Sequence, residues 1–586
     1  MRSHRPTEEP VSTRSAPGGT VVSPRETSTQ AGLSMLDKGG NAVDAAVAAA
    51  LVAGVIEPTE TTLAGCGFLL YNDGRSGPLS ADFGPRAPRA AHSRMFQLNP
   101  DAAAPSVLGI SPVIDEVNVN GPRASGVPRT LLGLLSAQER WGRLERRTVC
   151  QPAIEAAHDG FVVDTWFLTS ALSDLTRLRA DDMAARIFLT SDGLPSGHDA
   201  PLGYGHTFGI RPRIVQHALG HTLEVVAESS LDVLTTGHIA RQLVATARDN
   251  GGLLSLDDLY DSGPDIGPAL TLRYRNVDVS VPRAPGGGIT ELEILNVWQA
   301  LNERPSTSHE SAEQTRRLAL VLRRAFADRY HWLGDPAVVP VPQDPLLSDP
   351  YARKLAELVA TGEDVPRWND GPPWLIYASH AVHDPWPHGD GRTPPTWSPE
   401  AASPPTSGTT HISAADSEGG VVAITHTAAN HFGNGIICPR TGLLFDSAMA
   451  WFNAAPGAAN SISPGGRALA NMGPALITDN GRSIAALGAS GGRRIVSAVA
   501  QLVIAMVDGK LGPAEALALP RMDASGPSLV LHEGRAEHVD AVADLNPTVV
   551  PQTNEPFTMD FARPNIAGYT ASGTPRSAIP THAYGD

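Results

Sequence analysis

The stretch from Ser407 to Gly435, SGTTHISAADSEGGVVAITHTAANHFGNG, restricts the fold of this chain more than any other. Two alternating runs, HISAAD and VVAITHTA, flank the loop SEGG. Alternation at period two marks strands, and a short glycine-containing loop between them marks a β-hairpin. Whether the loop holds two residues or four, Ser417 faces Gly420 or Asp416 faces Val421. Either register sets Thr427 opposite Thr410, one residue from Thr409. Cross-strand partners share a face at about 5 Å. The pattern therefore predicts the Thr427 hydroxyl near the start of the first strand.

The hairpin begins directly after a different kind of sequence. From Gly362 to Ser407 the chain is rich in Pro, Trp, His and Gly. Fixed φ angles and few backbone donors predict an irregular surface linker there. Its histidines, His380, His383 and His388, lack a carboxylate cluster and read as solvated loop residues rather than metal ligands.

Upstream, short apolar strands alternate with helical patterns. GFLLYND (Gly67–Asp73) reads as a strand. TLLGLLSAQERWG (Thr130–Gly142) and SAEQTRRLALVLRRAFADRYHWLG (Ser311–Gly334) have helical spacing. In the second, Leu318, Leu320, Val321, Leu322 and Phe326 form the apolar stripe, with the arginines elsewhere on the cylinder. NAVDAAVAAALVAGVIEP (Asn41–Pro58) carries Asp44 and stops at Glu57–Pro58, which makes it too short to cross a bilayer. It reads as a buried core helix with Asn41 as N-cap and Asp44 beside the positive helix end. Downstream, SIAALGASGGRRIVSAVAQLVIAMVDG reads as strand, glycine turn (Gly488 to Gly492) and helix. Such a turn either presents N–H groups to negative charge or is simply tight.

Composition excludes several classes. There are 61 Asp+Glu against 45 Lys+Arg in 586 residues, a formal net charge of -16. Binding nucleic acid requires a basic face, so no nucleic-acid partner is expected. The three cysteines, Cys66, Cys150 and Cys438, are far apart; they offer neither a disulfide framework nor metal-ligand spacing. No cofactor or metal is expected, and no membrane partner. The first residues, 1–20, lack the apolar core of a signal peptide and read as a disordered polar arm. A cytoplasmic protein acting on a small molecule is the expectation.

Several motifs in order resemble the γ-glutamyltransferase (γ-glutamyltranspeptidase) family of N-terminal-nucleophile hydrolases. They are GGNAVDAAVAAALVAGVIEPTET, GCGFLLY, SGVPRTLLGL, PAIEAAHDGFVV, PRAPGGGITELEILN, AFADRYHWLGDP, TTHISAADSEGGVVAITHT with FGNG, and GASGGRRI. The resemblance spans about residues 20 to 520. It implies a mixed α/β (α+β) chain folded as one αββα sandwich. It implies self-cleavage between Gly408 and Thr409, with the piece 21–408 (its linker at 362–407) and the piece 409–586 remaining associated. Thr409 is then the nucleophile and its freed amine, with an ordinary pKa near 8, the base. Thr427 is the supporting threonine, and Gly491 and Gly492 form the oxyanion hole. His411 belongs to the TTH signature, so a metal site built on His411, His426 and His431 is not needed to explain it.

The same resemblance marks departures. Where the family binds the ends of a glutamyl group, this chain has Gly84 after Asp82-Phe83, then Ala429, Ala450, and Ala470-Asn471. Arg86, Asp446 and Asn471 are the candidates for a rebuilt pocket. The segment Trp451–Arg467 is short, which predicts a more open site. Nucleophilic machinery kept with recognition rewritten points to a new substrate. Divergent relatives act in routes to the 4-alkylproline units of lincosamides, hormaomycin and pyrrolobenzodiazepines, where the implied step is C–C bond hydrolysis. The alternatives are a glutamyl transferase or cephalosporin-acylase-like amidase, and a non-catalytic scaffold.

Overall fold

The computed structural model describes residues 11–12, 17–99, 112–198, 212–307, 311–362, 407–526, 528–550, 560–570 and 572–580. The expected linker, apart from its end residues Gly362 and Ser407, lies outside the described residues, together with His380, His383 and His388.

Two large sheets carry the architecture. The strands are β1 (Val11–Ser12), β2 (Gly19–Val22), β3 (Cys66–Asn72), β4 (Leu79–Phe83), β5 (Asp265–Pro268), β6 (Leu270–Tyr274) and β7 (Val277–Val281). After them come β8 (Ser407–Asp416), β9 (Val421–Asn430), β10 (Ala475–Asp479), β11 (Arg482–Ser490), β12 (Arg563–Tyr569) and β13 (Pro575–Pro580). One sheet runs β2-β8-β9-β3-β4-β5 and the other β1-β13-β12-β11-β10-β7-β6. Every pairing in both is antiparallel.

Period-two alternation sorts the side chains into layers. Ile412, Ala414, Val422 and Ile424 point from the first sheet into a core built with α1 (Glu26–Asp37), α2 (Ala42–Ile56), α3 (Thr130–Trp141) and α4 (Arg146–Asp159). Ala415, Val421 and Ala423 point the other way, where they meet Leu476, Ala486 and Ala567 of the second sheet. The outer face of the second sheet packs Val279, Val281, Ile477 and Leu487 against three helices. These are α6 (Gly288–Leu301), α7 (Ala312–Trp332) and α8 (Arg494–Val507), α5 (Thr165–Ser173) lying with the first layer. The order is helix, sheet, sheet, helix, as the resemblance implied.

The helix expected after Asn41 is α2, and all fifteen of its residues are buried. Asn41 accepts from the N–H groups of Val43 and Asp44, and Asp44 reciprocates to the Asn41 N–H. No helix among the described residues is long and apolar enough to cross a membrane.

Two expectations need correction and a third needs completing. Residues 1–20 are not wholly an arm. Val11–Ser12 pairs with β13, and Gly19–Val22 pairs with β8, because TVV supplies an edge whose Thr20 and Val21 are fully buried. The α7 arginines lie away from the apolar stripe yet not in solvent. Arg323, Arg324 and Arg329 are buried, Arg323 donating to the Leu545 carbonyl and Arg329 to the Ala470 carbonyl and Asn471 Oδ1. From Leu318 to Trp332 the helix is covered on every side, so the Arg323 and Arg329 guanidinium groups find carbonyl acceptors instead of water. The strand before the glycine turn runs on to Ser490, confining the turn to Gly491–Arg493.

Candidate active site

The hairpin exists, but its register differs by one from the expected one. Asp416 N–H donates to Gly420 O, which leaves a three-residue loop with Gly419 at φ 102°. Thr410 therefore faces His426, and Thr425 faces His411. A bulge between Gly408 and Thr410 then shifts the ladder, so that Gly408 faces Ala429. A bulge re-aims a side chain, and here it turns Thr409 toward Thr427. The two hydroxyl oxygens lie 3.3 Å apart. The proximity expected from the sequence is met, through an irregularity that the alternation did not reveal.

The chain is continuous through Gly408–Thr409, and that peptide is held at every atom that matters. The Gly408 carbonyl accepts from Thr409 Oγ1 at 2.6 Å and also from Thr427 Oγ1. Thr427 Oγ1 accepts the Ala429 N–H at 2.8 Å, which Ala429 delivers from a left-handed φ of 72°. A Cβ on Gly408 would lie 2.3 Å from the Thr59 carbonyl oxygen, so no larger residue fits before Thr409. Both threonines are buried.

The Thr409 N–H donates to Glu60 Oε2 at 3.0 Å, and Glu60 Oε1 accepts from Trp166 Nε1 at 2.8 Å. The Arg563 guanidinium lies 4.7 Å from the centre of a Trp166 ring. Burial holds the Glu60 carboxyl above its ordinary range, although the Thr409 N–H, Arg563, Trp166 and Arg25 all pull it down. Glu57, also buried and close to Thr410, is pushed up to about 8 by the same loss of solvent. Sequence reasoning passed over Glu60. The available signal was two carboxylates, Glu57 and Glu60, in EPTETT directly after the apolar run that ends at Ile56.

Gly491 and Gly492 follow the inner-face end of β11. Their φ values are 131° and 60°, and a Cβ on Gly491 would fall 2.8 Å from Ala562 Cα. Among the described residues neither of their N–H groups donates a hydrogen bond. His411, two residues from Thr409 on β8, lies against Gly488 of β11, which brings the end of β11 to the same end of the sandwich.

An apolar cluster lies beside Thr427. Cys66, which pairs with Thr427 across β3 and β9, clusters with Phe68, Ala448, Ala470 and Met472, with Trp451 packed against them. Gly84 has no room for a side chain, because a Cβ there would sit 2.7 Å from the Phe68 ring. The candidate replacements are spread apart. Arg86 donates to the Asp261 carbonyl and faces Asp265 at 3.6 Å, toward the rim. Asn471 is taken by Arg329. Asp446 is fully buried. Its Oδ1 accepts from Gly126 and Ala448 while Oδ2 has no partner among the described residues, and burial pushes its carboxyl up to about 7.

The three nearby histidines do not act together. His411 bonds to Thr425 and Ser413, His426 to Thr61, and His431 stacks edge-on against Trp166. Burial pushes each down to about 3, leaving neutral rings. The cysteines are free and buried, and burial pushes the Cys150 thiol up to about 12.

Residues 28–548 match the gamma-glutamyltranspeptidase family. The chain is 30% identical over 517 residues to the glutathione hydrolase proenzyme of Escherichia coli (strain K12), covering 86% of this chain and 80% of that protein. It is 30% identical over 524 residues to the acylase ACY 1 proenzyme of Pseudomonas sp. (strain SE83), covering 89% and 85%. Its fold superposes on the cephalosporin acylase of Bacillus halodurans with a TM-score of 0.76 at 21% identity, covering 99% and 97%. With the two sheets, the paired threonines and a match over most of its length, this chain belongs to the gamma-glutamyltranspeptidase family.

Proposed function

We propose that the chain cuts itself between Gly408 and Thr409, and that Thr409 then acts as the nucleophile of an acyl-transfer enzyme that no longer recognises a glutamyl group. In this reading Thr409 Oγ1 attacks a substrate carbonyl, its own freed amine carries the proton, and Thr427 steadies the hydroxyl. The unused N–H groups at Gly491 and Gly492 suit an oxyanion. The two pieces stay together, since each sheet draws strands from both. Water resolves the acyl-enzyme in hydrolysis; an amine would resolve it in transfer.

The observation that carries the substrate reading is the apolar wall of Cys66, Phe68, Ala448, Ala470 and Met472 beside Thr427. A charged or hydrogen-bonded contact in a closed pocket is worth about 1.5–3 kcal/mol. The alanines and the glycine filled by Phe68 supply none, so a doubly charged glutamyl end finds no partners on that wall. An apolar, conjugated acyl unit needs no such partners there. We read the reaction as hydrolysis of a C–C bond, removing a side chain from a 4-alkylproline-type precursor in antibiotic biosynthesis. Attack on a carbonyl expels carbon when the departing carbanion is delocalised, and the same oxyanion site and base serve that step. Incubating the cut protein with such a precursor, whose side chain is a conjugated acid, tests this by mass spectrometry of the products. Release of the side-chain fragment supports the reading; an unchanged precursor beside turnover of a γ-glutamyl or glutaryl anilide refutes it. That second outcome would favour an amidase, the reading suggested by the similarity to acylase ACY 1.

A further inference from the structure

We propose that Glu60 is the acid–base residue of the self-cleavage itself, giving its proton to the Thr409 nitrogen as that atom leaves Gly408 and then holding it as the nucleophile's amine. The proposal rests on the reading of Thr409 as a self-released nucleophile.

Three observations lead to it. Glu60 Oε2 lies 3.0 Å from the one nitrogen whose bond must break. The carboxyl is buried and clamped at its other oxygen by Trp166, so it is directed at that atom and no other reacting group. At the opposite end of the same peptide, the Gly408 carbonyl oxygen accepts from the Thr427 hydroxyl, with the attacking Thr409 hydroxyl beside it. A donor at the oxygen and a carboxyl at the nitrogen are the two supports that breaking an amide requires. The groups facing Glu60 from the surrounding elements are Arg25 before α1, Glu57 after α2, Trp166 on α5 and Arg563 on β12, while Asp164, which caps α5, acts on Glu57. His431 packs edge-on against Trp166. Burial outweighs the cations among them and keeps the carboxyl above its ordinary range.

The step balances. Thr409 Oγ1 adds to the Gly408 carbonyl carbon, forming a C–O bond and placing negative charge on the carbonyl oxygen beside Thr427. The C–N bond then breaks and its electron pair stays on nitrogen. Before the step, one proton each resides on Oγ1, the amide nitrogen and Glu60. After it, all three are on a Thr409 ammonium that faces a Glu60 carboxylate. Water then splits the ester into the Gly408 carboxylate and the Thr409 hydroxyl, releasing one proton, and the ammonium hands one proton back to Glu60 to leave the free amine. No metal or external catalyst enters.

The test follows the cut in full-length chains made by cell-free synthesis, using intact mass over time between about pH 5 and about pH 9. In the wild type the rate falls as pH rises through the range where Glu60 loses its proton. Glu60→Gln keeps the shape and one acceptor oxygen but carries no transferable proton. It is expected to cut roughly a hundred-fold more slowly near neutral pH, with that limb of the profile flattened. Glu60→Asp restores part of the rate with a displaced limb. Should E60Q fail to fold, Trp166→Phe keeps the carboxyl and removes one donor that favours its charged form, so the limb moves to higher pH. An E60Q chain that cuts within about two-fold of wild type with the same profile, or a W166F limb that does not move, overturns the proposal. Cutting that persists in Thr409→Ala, or a wild type that stays whole, overturns the underlying reading and the proposal with it.

Discussion

Replacing Thr427 with valine isolates the hydroxyl that joins both threonines to the peptide between Gly408 and Thr409. The side chains are nearly the same shape, so the fully buried site is not emptied. Three contacts are lost: the bond to the Gly408 carbonyl, the 2.8 Å bond from the Ala429 N–H, and the 3.3 Å approach of Thr409 Oγ1. The first is a donor aimed at the oxygen that gains charge as Thr409 attacks. Removing one such donor costs about 2.7–4 kcal/mol of barrier, or roughly 10²–10³ in rate. The second leaves the Ala429 N–H buried without an acceptor, at about 1–3 kcal/mol of stability. The two effects separate by measurement. The time course of cutting by intact mass reports the first, and the thermal midpoint of the uncut chain reports the second. Thr427→Ser keeps the oxygen and is expected to recover most of the rate. A folded T427V chain cut within about three-fold of wild type would refute the idea that this hydroxyl stabilises the transition state.

Further expectations concern the rest of the site. Asp446 keeps its proton in the folded chain up to about pH 7, against an ordinary value of 3.8, so the stability tied to that proton is full at acid pH and lost as pH rises between those values. Asp446→Asn should match wild type near about pH 4 and be more stable above pH 7, by up to about 4 kcal/mol, as read by denaturant titration at several pH values; parallel curves would contradict the burial argument. Ala429→Asn places a residue tolerant of φ 72° where the strained alanine sits, so its thermal midpoint should hold or rise. Gly84→Arg drives a side chain into Phe68 and should lower the thermal midpoint without bringing γ-glutamyl anilide turnover; a stable, active G84R would mean the pocket is more yielding than it looks. Gly491→Ala strains a φ of 131° and meets the Ala562 backbone, so the folded variant should lose turnover far more than binding.

The parts of this architecture written in periodicity were legible from the sequence. The hairpin, α2 with its Asn41 cap, α7 and the strand–glycine–helix at Gly491 all follow from local spacing, since each pattern repeats within a few residues. The bulge at Thr409 was not legible, because an extra residue in one strand shows only against its partner's register. Neither was the burial of Arg323 and Arg329, which depends on carbonyls supplied from Leu545 and Ala470 far along the chain. Glu60 was hidden for the same reason. Its meaning comes from Thr409, 349 positions away, and no spacing rule reaches that far.

Strand order has a consequence for the timing of the cut. β8, whose first residues span the proposed cut, lies between β2 from before it and β9 from after it. The second sheet likewise joins β6 and β7 to β10 and β11. Neither product could complete either sheet alone, so each would be left with raw edges and half a core. The proposed cut would therefore be a late event in the life of the chain, reserved for a molecule already assembled. Thereafter the two polypeptides would form an obligate heterodimer whose interface is the interior of a single fold, and losing one partner would be the same event as unfolding the other.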